Sequence, residues 1–254
     1  MNPIFQQIAV KLSKFYKTYR LWPWYGKLAA WTSLILSAHL FYLLLLIFVF
    51  PPLTTTQFAS ILNGKGMQRD YVCLSEISRH AVLAVIGAED QLFMEHNGFD
   101  FESIEKALEH NKKKPKRMRG ASTISQQVAK NVFLWQGRSW FRKGLEVYFT
   151  VMIELLWSKK RIMEMYLNCA EMGNGIFGIQ AASKIYFNKD AKWISREQAA
   201  MIAASLPNPK RYKVKPLSPY ISLRFPWVQQ QMDQLEPEPT IQRLLKKAYS
   251  GNSR

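Results

Sequence analysis

The sequence predicts a mainly α-helical protein with one membrane-spanning helix ahead of its main domain. A 23-residue stretch without formal charge lies near the N-terminus, and segment after segment downstream repeats apolar residues at helical spacing. No alternating strand series and no internal repeat interrupts that pattern. The expected organisation is a basic segment at 1–27, a transmembrane helix at 28–50, a linker at 51–66 and a catalytic-sized domain at 67–254.

The apolar run is Leu28–Phe50, longer than the about 20 residues a spanning helix needs. His39 is its one ionisable side chain, read as a neutral imidazole on one helix face. Lys11, Lys14, Lys17, Arg20 and Lys27 precede the run, and Pro51–Gly64 after it carries no charge, so the positive-inside rule puts the N-terminus in the cytoplasm. Trp22, Trp24, Tyr25 and Trp31 stand where an interfacial aromatic belt belongs. A cleaved signal peptide fits less well, because the run is too long and ends in Phe-Pro-Pro rather than small residues.

Residues 51–66 read as an extended linker, with Pro51-Pro52, a threonine run and Gly64 and Gly66. Ser75–Gln91 suits a helix through Ile77, Ala81, Ala84, Val85 and Ala88. Asp100–His110 suits another, with Phe101, Ile104, Ala107 and Leu108 on one side. Asn111–Gly120 holds six basic residues and a proline, a loop signal. Ser122–Trp135 opens like a capped helix, and Arg142–Leu167 is a long apolar helical stretch with a break expected near Trp157-Ser158. Gly173, Gly175 and Gly178 mark a turn. Ile179–Tyr186 and Ser195–Leu206 read as helices, with Ser195 as N-cap of the second and Pro207-Asn208-Pro209 ending it. The remainder reads as loop-rich, closing on a helix at Thr240–Tyr249.

The 254 residues carry a net charge of +17, and about +12 remains beyond residue 56. Such an excess favours nucleic acid, anionic headgroups or phosphorylated substrates, and charge alone does not choose among them. A domain held outside the membrane disfavours nucleic acid. The two cysteines, Cys73 and Cys169, show no zinc spacing and read as free thiols, with a disulfide left open.

Three clusters carry chemistry. Glu89, Asp90, Glu95 and His96 fall within eight positions at the end of an apolar helix, where the macrodipole disfavours acids. A solvated acidic corner and a structural histidine are the plain alternatives. Gly120–Asn131 leads a Ser/Thr pair into a helix N-terminus, whose free N–H groups suit anions, and it carries Gln126, Gln127 and Lys130. In Arg138–Glu146, Arg142 and Glu146 are spaced as an ordinary helix ion pair, yet Glu146 and Glu154 stand on so apolar a helix that each must find a partner. Carboxylates for acid–base work, cations for a leaving phosphate and a membrane tether together suit glycosyl transfer from a lipid pyrophosphate.

The motifs EDQLFMEHNG, GASTISQQVAKN, RKGLE, SKKRIMEMYLN, GNGIFGIQAASKIYF and REQAAMIAASLPNP occur in order, and over about Tyr71 to Tyr220 the chain resembles the family 51 glycosyltransferases, the peptidoglycan polymerases, in their monofunctional form. The resemblance implies a lysozyme-like helical head lobe with a smaller, membrane-proximal jaw lobe. It implies inverting transfer of the growing lipid-linked glycan to lipid II, in the inner membrane with the catalytic domain periplasmic. Carried over by residue, it makes Glu89 the base for the acceptor 4-hydroxyl and Glu146 a second acid near the donor pyrophosphate. Lys130 and Arg138, with Arg142 and Lys143 beside them, would bind pyrophosphate. Ser122, Thr123, Gln126 and Gln127 would line the donor site, and Asp90, Phe93 and His96 would shape the surroundings of Glu89. No cofactor is required; magnesium or manganese is compatible with the pyrophosphate site, though no ligand set demands it. Division or elongation proteins are the expected protein partners.

One departure is Leu145, where the family often has lysine before the second acid. A lysozyme-like lytic enzyme and a non-catalytic membrane scaffold are the competing readings. A bifunctional penicillin-binding protein is excluded: the single SxxK, Ser103 to Lys106, lies inside the glycosyltransferase region and no KTG follows.

Overall fold

The computed structural model describes residues 3–115, 120–137 and 139–250. It divides into two compact units, residues 1–48 and 49–254.

In the first unit, α1 (Pro3–Leu21) and α2 (Trp24–Leu45) are separated by Pro23. Pro23 is extended at the N-cap of α2, where a missing N–H costs nothing. α2 has 22 residues, a length of about 33 Å, and its mean hydropathy of 1.8 suits a membrane span. The helix begins four residues before the expected span and gives way to turns at Leu46–Val49, since Pro51-Pro52 cannot continue it. Trp31 Nε1 donates to Tyr19 Oη at 2.8 Å, so one of the expected belt residues ties α2 to α1.

The second unit is almost entirely helical. The expected linker is in part a helix, α3 (Thr55–Leu62), because Thr54 and Gln57 form a reciprocal capping box. Thr56 Oγ1 donates to the Asn131 carbonyl at 3.0 Å, tying α3 to the end of α6 (Ile124–Phe133). Three short strands escaped the sequence reading: β1 (Gln68–Arg69), β2 (Glu171–Gly173) and β3 (Ile176–Phe177), in the order β1-β3-β2. β2 and β3 form a hairpin over the glycine turn, and β1 adds parallel to β3.

The core gathers α4 (Arg79–Glu89), α10 (Arg196–Ser205) and α11 (Pro219–Leu235) on one side. On the other, α6 packs on α7 (Trp140–Leu156) and α8 (Lys159–Cys169). The break between α7 and α8 falls at Trp157-Ser158 as expected, with Ser158 as the cap of α8. α9 (Ile179–Phe187) and α12 (Pro239–Tyr249) complete the unit. Asn168 staples the stretch before α4 onto α8: its amide pairs with both the N–H and the carbonyl of Val72, each at 3.0 Å. Cys73 and Cys169 are free thiols, the first exposed and the second buried.

One further expectation needs correction. The region after Pro209 is not loop-rich, since α11 runs for 17 residues with Pro219 in its first turn and Pro226 inside. The apolar side of α5 (Phe101–Lys113) is not a core face: Ala107 is buried, but Phe101 and Leu108 are 75% and 57% exposed. With Trp140, Phe141 and Leu155 of α7 they leave apolar surface in water.

Candidate active site

Glu89 is the last residue of α4, and Asp90 leaves the helix with extended backbone. Asp90 is buried and fully engaged. One oxygen accepts the Ile124 N–H at 2.9 Å, at the positive end of α6. The other meets His96 Nε2, also at 2.9 Å. His96 Nδ1 accepts the Gly98 N–H at 3.1 Å, which leaves the proton on Nε2 to point at Asp90. Phe93 is wholly buried, with Lys159 Nζ 4.7 Å from its ring centre. Lys159 also donates to the His96 carbonyl at 2.6 Å and to Glu154 at 2.8 Å. Asp90, Phe93 and His96 therefore fix the chain after Glu89, and Glu154 finds the partners that the sequence demanded.

Gly98 lies at φ +89, where a Cβ would stand 2.7 Å from Thr150 Cγ2. Glycine is required there both by conformation and by space. Thr123 caps α6 and donates to the Gly98 carbonyl at 2.7 Å. Gln126 closes the capping box, its side-chain oxygen accepting the Thr123 N–H.

The glutamine beside Glu89 is thus Gln127. Its Nε2 donates to Glu89 Oε2 at 2.6 Å, and its Oε1 accepts from Tyr166 Oη at 3.2 Å. Burial pushes the Glu89 carboxyl above the ordinary carboxylate range. The Gln127 hydrogen bond and the charges of Lys130 and Arg224 pull the other way without overcoming it. Lys130 is held below the ordinary lysine range, first by burial, and it feels the opposite charges of both Glu146 and Glu89. Lys130 is therefore within electrostatic reach of both carboxylates.

Glu146 is buried on α7, bracketed by Arg142 Nη1 at 2.7 Å and Lys143 Nζ at 2.5 Å. Arg142 Nε is buried with no partner among the described residues, so the cluster retains unused donors. Arg138 lies outside the described residues, as do 116–119 of the basic loop.

Depressions surround this cluster. One of about 400 Å³ is lined by Glu89, Asp90, Ser122, Thr123 and Trp227. A second, of about 240 Å³, lies between α5, Ser122, Gln126 and Lys143. A third, of about 180 Å³, is lined by Gln127, Lys130, Asn131, Tyr166 and Lys210. Ser122 joins the first two, and the Gln127–Glu89 hydrogen bond links the third to the first. Among the described residues no three His, Cys, Asp or Glu side chains gather to hold a metal ion.

Sequence reasoning missed Tyr166, Arg224 and Trp227. Arg224 sits on α11 with its guanidinium 3.5 Å from the Trp227 ring centre, and its charge reaches Glu89. The resemblance ended at Tyr220, four residues too early. The available signal was Ser218-Pro219, an N-cap residue followed by proline at the first helical position.

A helical domain here sets a half-buried glutamate within reach of the charges of Lys130 and Arg224. The family model for transglycosylases matches residues 55–233, well over half the chain, and the chain belongs to that family. It is 56% identical over 174 residues to the biosynthetic peptidoglycan transglycosylase of Escherichia coli, covering 68% of this chain and 72% of that protein. The Aeromonas hydrophila protein of the same name is 50% identical over 212 residues, covering 82% and 88%. That of Yersinia pseudotuberculosis is 56% identical over 173 residues, covering 68% and 72%.

Proposed function

We propose that this chain is a peptidoglycan glycosyltransferase that polymerises lipid II into glycan strands, with Glu89 as the base. Glu89 takes the proton of the acceptor 4-hydroxyl as that oxygen attacks C1 of the donor sugar. The C1–oxygen bond to the diphosphate breaks on the opposite face, its electron pair leaves with the diphosphate, and the anomeric centre inverts. Lys130, Arg142 and Lys143 receive the departing charge, with Arg138 joining them. Glu146 holds Arg142 and Lys143 in place from below, a positioning role. Ser122, Gln126 and Gln127 line the sugar path, and Thr123 with Asp90, Phe93 and His96 keeps that path in shape. Both Glu146 oxygens already hold cations and Glu89 faces Lys130, a donor set unsuited to a divalent ion; no step here runs through a metal.

The observation that carries this reading is that Lys130, which lines the depression bounded by the glutamine bonded to Glu89, feels the charges of both Glu89 and Glu146. A base with a raised pKa is strong enough to take a hydroxyl proton, and the lysine beside it faces where phosphate charge appears. Cleavage of finished glycan has no phosphate leaving group and gives the cations no task. A scaffold gives the raised glutamate none.

The anchor completes the reading. α2 crosses the inner membrane with the N-terminus in the cytoplasm, because all five lysines and arginines of residues 1–56 lie at or before Lys27, on the N-terminal side of its apolar run. The catalytic unit then lies in the periplasm, where α5 and the start of α7 turn their exposed apolar side chains to the bilayer that holds the substrate. Division or elongation proteins are the partners such an enzyme would serve.

The test uses the full-length protein in detergent with labelled lipid II. Polymer that lysozyme digests is expected, and Glu89→Gln should lower its formation by about 10²–10⁴-fold while lipid II still binds. Undiminished polymerisation by that variant overturns the assignment, and release of fragments from finished glycan with no polymer made points to the lytic reading.

A further inference from the structure

A second concave site lies apart from the cleft. It is a groove of about 830 Å³, twice the depression beside Glu89, between α12 and the two 3-10 turns Leu74–Glu76 and Ala191–Trp193. Arg79, at the first turn of α4, lines it, so it sits some 15 Å along that helix from Glu89. None of the side chains assigned to glycosyl transfer reaches it.

Its chemistry is uneven in a particular way. The floor is apolar: the rings of Trp193 and Tyr249 supply its open surface, over the buried Ile77 and Leu245. Trp193 is 68% exposed, an unusual state for an indole with no role in the cleft. The rim is cationic: Arg79, Lys192, Arg243 and Lys246 line the groove and no acid does. Arg79 and Lys192 are already paired, with Glu236 and Glu76. Arg243 and Lys246 are exposed, three residues apart on one face of α12, and have no acidic partner among the described residues. An unpaired set of cations beside an apolar floor is complementary to a visitor that is apolar on one side and acidic on the other.

We propose that this groove docks an amphipathic helical segment of a partner protein, apolar on one face and acidic along its flank. Apolar anchors of the segment pack on the rings of Trp193 and Tyr249, and its carboxylates meet Arg243 and Lys246 at the rim. A neutral glycan strand fits less well, because it brings no carboxylates to Arg243 and Lys246. A lipid headgroup would use the rim and leave the floor unfilled. The acidic flank supplies specificity, since a basic helix of the same shape would be repelled.

The experiment measures fluorescence anisotropy with full-length protein in neutral detergent micelles. The probe is a labelled designed helix of about 18 residues, five turns, with leucine and phenylalanine on one face and glutamate on the other. Two companions serve as controls: the same composition scrambled, and the same helix with lysine for glutamate. Saturable binding of the acidic helix alone is expected. Arg243→Glu with Lys246→Glu should weaken it by about tenfold or more, Trp193→Ala by a similar factor, and neither variant should change lipid II polymerisation. Should the tryptophan variant fail to fold, the charge-reversed variant decides the matter, since both its sites are exposed. Equal binding of the scrambled peptide, or unweakened binding by the charge-reversed variant, overturns the proposal. So does Trp193-dependent binding of uncross-linked glycan strands or phosphatidylglycerol vesicles where the acidic helix fails to bind.

Discussion

Replacing Gln127 with methionine tests whether the environment of Glu89 is tuned for proton transfer. The change keeps the volume of the side chain and removes both of its hydrogen bonds: the 2.6 Å bond donated to Glu89 and the 3.2 Å bond accepted from Tyr166. Among the influences that favour the Glu89 anion, the Gln127 hydrogen bond is the largest. A hydrogen bond to a charged group contributes about 1.5–3 kcal/mol, or an about 10- to 150-fold effect on the ionisation equilibrium. Glu89 must be ionised to accept a proton, so activity is lost as pH falls through its raised pKa. Without Gln127 the pKa rises further and the acid limb moves to higher pH. On that limb the variant should be slower by about tenfold or more, while the loss narrows at the plateau. The buried Tyr166 hydroxyl also loses its acceptor, which costs about 1–3 kcal/mol of stability. The assay is kcat/KM for lipid II polymerisation from acid to alkaline pH, beside thermal unfolding. A uniform loss at every pH, with the limbs unmoved, would refute the reasoning and make Gln127 a packing residue.

Tyr166→Phe should shift the same limb in the same direction by less, because it frees the Gln127 amide without removing it; the pH profile again decides. Lys130→Met removes a charge that favours the Glu89 anion, so the acid limb should rise, and the rate at the plateau should fall by about 10²–10³-fold as the leaving charge loses its partner. The alkaline limb should change too: Lys130 works protonated, its pKa is depressed, and its removal takes away the group whose deprotonation limits activity there. An alkaline limb identical to that of the parent would count against Lys130 as the cation. Gly98→Ala forces a left-handed alanine against Thr150 and Glu154, at a cost of about 2–4 kcal/mol that calorimetry would detect; an unchanged melting temperature would mean the loop can yield.

Much of the fold was legible because short-range chemistry fixes it. Thr123 and Ser195, each with glutamine three residues on, form the capping boxes their sequences advertise, and Ser158 restarts the helix where the apolar run breaks. α11 was illegible because two prolines and a Gln-Gln-Gln run hide its apolar side; Ile221, Val228 and Met232 reach the core only through contact with α4 and α10. Strands of two or three residues are too short to show alternation. Phe101 and Leu108 are exposed although they share the apolar side of α5, because helical periodicity reports an apolar side and not what covers it. In the cleft, charge types were readable, whereas the choice of Gln127 over Gln126, and the reach of Tyr166 and Arg224 to it, depend on packing across 38 residues or more.

Glu89 and Asp90 show why sequence alone leaves two adjacent acids equivalent. α4 ends between them, so their side chains diverge. Asp90 turns toward the N-terminus of α6, where the helix dipole favours a carboxylate, and it also anchors His96. Its bonding capacity goes to structure, joining the two helices that frame the cleft. Glu89 stays on the unfavourable end of α4 with Gln127 as its one hydrogen-bond partner among the described residues. An anion so poorly satisfied binds a proton readily. In the proposed mechanism a substrate hydroxyl supplies that proton, so the conflict between helix dipole and charge that weakens the local fold also equips this position for transfer.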